Sequence, residues 1–84
     1  MPKLKILSGD DLVSIFASFG FFIVSQRGSH IKLRRLVKDE KQTLTVPQHV
    51  ELDKGTTRAI FSQALRYISE KELRPHFYSN EQGK

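Results

Sequence analysis

The sequence predicts an α+β fold: one small domain in which a three-stranded antiparallel sheet carries helices on one face. Three observations carry this. Helical periodicity stands near both ends of the chain, with alternating periodicity between. The alternating runs are joined by short polar turns, which permit antiparallel neighbours and leave no room for a parallel crossover. The 84 residues supply only one core, since a chain of this size buries only about 60–65% of the surface its unfolded form exposes.

The elements follow in order. Ser8-Gly9-Asp10-Asp11 opens the first helix: Ser8 is placed to cap free amides, Asp11 completes a variant capping box, and both acids oppose the positive end of the dipole. Leu12, Ile15, Phe16 and Phe19 then fall at i, i+3, i+4 and i+7, forming one apolar stripe, and Gly20 closes the helix. Phe21 to Gln26 is aromatic and β-branched, so preference changes there from helix to strand. Arg27-Gly28-Ser29 supplies a turn. The next strand alternates, with Ile31 and Leu33 on the core side and His30, Lys32 and Arg34 on the other.

Lys38-Asp39-Glu40-Lys41 is a second turn, and Gln42 to Val46 alternates again, with Leu44 and Val46 inward and Thr43 and Thr45 outward, until Pro47 ends the strand. After a loop from Gln48 to Gly55, Thr56 is the expected cap of a second helix whose Ile60, Ala64, Tyr67 and Ile68 share a face, supported by Phe61 and Leu65. Ser69, three residues before Glu72, marks a short third helix. Residues 75–84 lack an apolar period and are expected to form a tail, mobile at its end. The order is therefore α-β-β-β-α(-α), with the sheet face bearing His30, Lys32 and Arg34 left open.

Composition narrows the chemistry. The formal net charge of +5 favours an acidic partner, of which nucleic acid is the commonest for a small basic domain. Arg27, Lys32, Arg34, Arg35 and Lys38 are interrupted by no Asp or Glu, a run that fits a phosphate surface and fits a solvated strand equally well. The absence of cysteine excludes a disulfide framework and a thiolate metal site. Neither a signal-peptide pattern nor a run near the ~20 apolar residues of a membrane span is present, and a soluble, cytoplasmic protein is expected.

Three histidines differ in context. His30 follows Gly28-Ser29 at a strand start and shares its face with cations, where an imidazole can exchange a proton near neutral pH; spacing alone fits a plain surface histidine too. His49, after Pro47-Gln48, is placed on the loop rim as a candidate second proton-transfer group or phosphate donor. His76 lies in the expected tail and is given no catalytic role. The three are scattered without HExxH or CxxC spacing, so no metal is expected. Ser29 cannot form a hydrolase pair with His30 inside one strand, because neighbours point to opposite faces; it reads as a turn former or phosphate contact. Gly55-Thr56-Thr57 could present amides to an anion, but reads first as ordinary capping.

Several blocks, in order, resemble the HicA toxins, small ribonucleases of bacterial toxin–antitoxin systems. They are Leu7-Ser8-Gly9, Phe19-Gly20-Phe21, Arg27-Gly28-Ser29-His30, Val46-Pro47-Gln48-His49 and Gly55-Thr56-Thr57-Arg58-Ala59-Ile60, and the resemblance spans residues 7–68. It implies a double-stranded-RNA-binding-domain-like fold, a catalytic role for His30, messenger RNA as substrate and a HicB-type antitoxin bound over the active surface. This chain departs from the pattern in the more basic Leu33-Arg34-Arg35-Leu36, in Thr57 where an apolar residue is usual, and beyond Ser69.

The expected protein is thus a metal- and cofactor-independent endoribonuclease with His30 catalytic. Arg27, Gly28, Ser29, Lys32, Arg34 and Arg35 are its expected phosphate-binding residues, and His49 a candidate second group. The competing expectations are a non-catalytic RNA-binding module of the same fold and an interaction protein whose basic face only docks an antitoxin.

Overall fold

The computed structural model describes residues 2–80. Its elements are β1 (Pro2–Leu4), α1 (Gly9–Ser18), β2 (Phe22–Arg27), β3 (His30–Val37), β4 (Glu40–Pro47), α2 (Lys54–Ala64), α3 (Glu70–Phe77) and β5 (Tyr78–Asn80). The α+β architecture holds: β2-β3-β4 form the three-stranded antiparallel sheet, and the helices cover one of its faces.

Local chemistry sets the boundaries of α1. Ser8 Oγ accepts the Asp11 amide at 3.0 Å while Asp11 Oδ2 accepts the Ser8 amide at 2.9 Å, the reciprocal capping box. At the other end Gly20 adopts φ +97°, its amide donating to Ala17 O and that of Phe21 to Phe16 O, both at 3.0 Å. This paired closure is a Schellman motif, which glycine permits because it has no Cβ. The Phe21 ring meets Phe16 edge-on at 5.9 Å, so the motif steers the chain into β2 with Phe21 already in the core.

Two-residue turns join the strands of the sheet. Arg27 pairs with His30 across Gly28-Ser29, where Gly28 has φ +60°. Val37 pairs with Glu40 across Lys38 (φ 51°) and Asp39 (φ 67°), both left-handed, as a type I′ hairpin requires. Leu12, Phe16, Ile31, Leu33, Leu44, Val46, Ile60 and Ala64 are buried between sheet and helices, confirming the alternation expected for β3 and β4.

Two expectations about α2 need correction. Asp53, not Thr56, is the N-cap of α2: its carboxylate accepts the Thr56 hydroxyl at 2.6 Å and the Thr56 amide at 3.3 Å. Thr56, expected as the cap, is itself held by that carboxylate. The helix ends at Ala64, so Tyr67 and Ile68 reach the core from the following turn, and Leu65 is more than a third exposed.

Residues 75–80 are not a tail. Phe77, with Leu73, has no exposed surface; its ring packs beside Phe61 at 5.2 Å. The β5 strand pairs antiparallel with β1, and Lys5 donates its amide to Phe77 O at 2.8 Å, so the two ends of the described chain are sewn together. An apolar pair at i and i+4 is too short a signal to reveal this, and the pairing spans nearly the whole sequence. The expected end of the tail, residues 81–84, lies outside the described residues. No described helix is long and apolar enough to cross a membrane.

Candidate functional site

The open face of the sheet is set by register. His30 pairs with Arg27 on β2 and Pro47 on β4, Lys32 with Ser25 and Thr45, and Arg34 with Phe22 and Thr43. Directly paired residues in an antiparallel sheet point to the same side, so Arg27, His30, Lys32 and Arg34 form one row opposite the buried Ile31 and Leu33. A bulge at Val24, between Ile23 and Ser25, shifts β2 by one residue and brings Arg27 onto this face. Arg27, His30 and Lys32 are exposed, and Arg34 is half-buried.

This row has no negative member. The one ion pair among the described residues, Arg74 with Glu70, lies on α3, leaving Arg27, Lys32 and Arg34 without a carboxylate counter-ion there. The Nε of Arg34 is covered and has no acceptor among the described residues. A row of uncompensated cations attracts anions, and a guanidinium fork matches the geometry of phosphate.

Arg35, expected from the sequence to bind phosphate, belongs to the opposite face. Its Nη1 donates to Phe19 O at 2.8 Å, its Nη2 to Tyr67 O at 3.0 Å and its Nε to Gln42 Oε1 at 2.8 Å. The guanidinium also lies 4.8 Å from the Phe21 ring centre. Each of its three nitrogens is committed, two of them to the segments that follow α1 and α2, so Arg35 is a structural clasp.

The turn that carries His30 is braced by the loop after β4. Gln48 donates its amide to Ser29 O at 2.6 Å, and its side-chain oxygen accepts Gln26 Nε2 at 2.7 Å; Gln26 also reaches Gly28 O at 3.2 Å. The loop is held against α1, where Gly9 donates its amide to His49 O at 2.9 Å. A Cβ on Gly9 would overlap Pro47 O and lie 2.7 Å from Gln48 Cα, so this contact demands glycine. Nothing in the sequence singles out Gln26 for a role or separates Gln48 from its loop, since glutamines carry no motif; their meeting across 22 residues gives them one.

His49 is exposed, two residues beyond the register partner of His30, and lines a shallow recess of about 470 Å³ with Ser8, Asp10, Gln48 and Val50. His76 stands away from this row, its ring edge-on to Phe19 at 5.3 Å. Ser29 and Gly28 are exposed at the turn, and a Cβ built on Gly28 would meet nothing within 4 Å. The Gly55-Thr56-Thr57 segment is occupied by capping: Thr57 Oγ1 donates to Asp53 O at 3.0 Å, alongside the bonds of Thr56. Among the described residues no three His, Cys, Asp or Glu side chains converge as metal ligands would.

Comparison with known proteins gives one finding. The family described as HicA toxin of bacterial toxin–antitoxin matches residues 9–65, a stretch that runs from the start of α1 to the residue after α2 and includes the whole open face. No curated protein and no solved structure matches the chain.

Proposed function

Since the chain belongs to the HicA toxin family, we propose that its open sheet face cleaves single-stranded messenger RNA, with His30 as the catalytic residue. The observation that carries this is the row Arg27, His30, Lys32, Arg34: one imidazole among three cations on an uncovered face with no acidic neighbour in register.

In this reading the RNA backbone lies along β3. His30 takes the proton of a 2′-hydroxyl as its oxygen attacks the adjacent phosphorus, or protonates the departing 5′-oxygen; proton transfer of this kind contributes about 10²–10⁴-fold. The bond to the 5′-oxygen breaks, leaving a 2′,3′-cyclic phosphate and a 5′-hydroxyl. Lys32 neutralises the charge that gathers on the phosphoryl oxygens, Arg34 and Arg27 hold the backbone on either side of the scissile phosphate, and exposed Ser29 and Gly28 allow close approach at the turn. His49, at the rim of the same end of the sheet, is the candidate for the complementary proton transfer. Such chemistry requires no metal or cofactor.

The family implies a HicB-type antitoxin. Covering the His30 face would silence the toxin without any conformational switch, and the uncompensated cations there favour an acidic surface, chiefly by raising the association rate. A messenger RNA substrate would place the reaction in the cytoplasm.

The test is incubation of purified protein with single-stranded RNA in EDTA, with analysis of the product ends. Cleavage to cyclic phosphate ends, lost in His30→Ala at unchanged melting temperature, is expected. Binding without cleavage would instead assign a non-catalytic RNA-binding module, and neither would leave an antitoxin-docking protein.

A further inference from the structure

The open face carries one aromatic ring that neither the core nor the proposed reaction uses. Phe22 is 51% exposed and is the direct cross-strand partner of Arg34. Leu36, 59% exposed, follows two residues beyond Arg34 on the same side of β3. Single exposed apolar residues are common on protein surfaces. This ring differs in its setting: it stands in the cationic row, level with a guanidinium that has no internal acceptor at Nε among the described residues.

We propose that Phe22 is a base-stacking platform, which together with Arg34 fixes a nucleobase of single-stranded RNA a few nucleotides from the bond that His30 acts on. The inference rests on the RNA-cleavage reading above and names a specificity-determining contact within it. Unpaired bases are held on proteins by aromatic faces and by the planes of arginine guanidinium groups. Phe22 offers the first and Arg34 the second, side by side.

The spacing suits a strand of RNA. Arg34 lies four residues along β3 from His30, about 13 Å at the rise of an extended chain. Lys32 sits between them, nearest the scissile phosphate. A backbone following the cations from Arg27 to Arg34 therefore delivers a base to Phe22 while the scissile phosphate remains at His30. Duplex RNA keeps its bases stacked on each other and cannot use such a platform, so the contact selects single strands. Purines, having the larger stacking surface, are favoured at that position. The Arg34 side chain gives up no hydrogen bond at Nε when it moves onto a ligand.

The test uses the His30→Ala protein, which binds without cleaving. The sequence has no tryptophan, so Phe22→Trp in that background installs a single reporter at the platform. Adding a single-stranded oligoribonucleotide is expected to quench the emission of the introduced indole, with affinity equal to or tighter than that of the Phe22 protein. Phe22→Leu, which stays apolar but loses the ring, is expected to weaken binding about tenfold or more. Replacing the base nearest the platform by an abasic unit should erase the difference between the Phe22 protein and its Phe22→Leu variant.

Binding that leaves the indole unquenched, with Phe22→Leu at parental affinity, overturns the platform while leaving the cationic face as an RNA site. Failure of the His30→Ala protein to bind RNA at all overturns both readings. Weaker binding of a HicB-type antitoxin by Phe22→Leu, with RNA affinity unchanged, assigns the ring to the protein interface and also overturns the proposal.

Discussion

The guanidinium of Arg35 donates to the main-chain carbonyl of Phe19 at 2.8 Å, tying the central strand to the residue that caps α1. A second bond to Tyr67 O extends the clasp to the turn after α2. Arg34 and Arg35 are therefore neighbours in sequence with separate tasks, one outside the sheet and one beneath it.

That separation is measurable. Arg35→Ala should lower stability by about 2–3 kcal/mol, because charge-assisted hydrogen bonds are lost and part-buried carbonyls are left without donors. The variant should bind single-stranded RNA, at a temperature where it is folded, with an unchanged salt slope. Arg34→Ala should do the reverse, keeping its melting temperature and reducing the magnitude of the slope by about 0.7. Equal slopes for Arg34→Ala and the parent would remove Arg34 from the proposed RNA site.

A methyl group on Gly9 tests whether the loop after β4 supports activity. Gly9→Ala forces the Pro47–His49 loop away from α1, since its Cβ would lie 2.7 Å from Gln48 Cα and overlap Pro47 O. Overpacking of this kind costs about 1–3 kcal/mol. Because Gln48 braces Ser29, the His30 turn should loosen too, so RNA cleavage should fall further than the loss of folded protein explains. Parental activity per folded molecule would show that the brace does not position His30.

The turn between β3 and β4 offers a stabilising change. Lys38 and Asp39 both hold positive φ without being glycine, a conformation that costs about 1–2 kcal/mol for an ordinary L-residue, less for Asp with its local hydrogen bonding. Asp39→Gly should raise stability by about 0.5–1 kcal/mol after its greater unfolded-state entropy is counted. Chemical denaturation would read this as a higher midpoint at constant m-value, and RNA cleavage should not change, since the turn lies at the far end of β3 from His30.

Acid should weaken the start of α2. The hydroxyl of Thr56, then its amide, hold the Asp53 carboxyl below the ordinary carboxylate range. A depressed folded-state value means that the cap contributes fully above the unfolded value and is lost as pH falls through the folded one. Asp53→Asn keeps a good capping side chain without the titration. Its melting temperature relative to the parent should therefore rise as pH drops through the acid range, and a difference flat in pH would disprove the linkage.

Antitoxin binding should be visible as protection of the open face. If a HicB-type partner covers His30, hydrogen exchange of residues 27–34 should slow in the inhibited complex. Protection confined to α3 and β5 would instead favour inhibition from the helical side.

Much of this fold can be read locally. The Ser8–Asp11 box, the positive-φ glycine after α1 and the alternation of Ile31, Leu33, Leu44 and Val46 each depend on residues a few positions apart. They are legible because their hydrogen bonds and burial are decided within one turn or one strand. The same alternation puts His30, Lys32 and Arg34 on one side, so the main row of the candidate site is legible as well.

Other features depend on what distant segments supply. Alternation gives Arg35 the parity of Leu33, but an inward arginine is tolerable only if acceptors await it; Phe19 O and Tyr67 O come from segments 16 and 32 residues away. The Gln26–Gln48 brace and the union of β1 with β5 have the same character. Local pattern was therefore enough for most of the elements, the cap of α1 and the outward row that includes His30. Long-range packing settled which cation became a clasp, which carboxylate capped α2, which glutamines braced the turn and how β1 found β5, because a hydrogen bond needs its partner in place and periodicity records no partner.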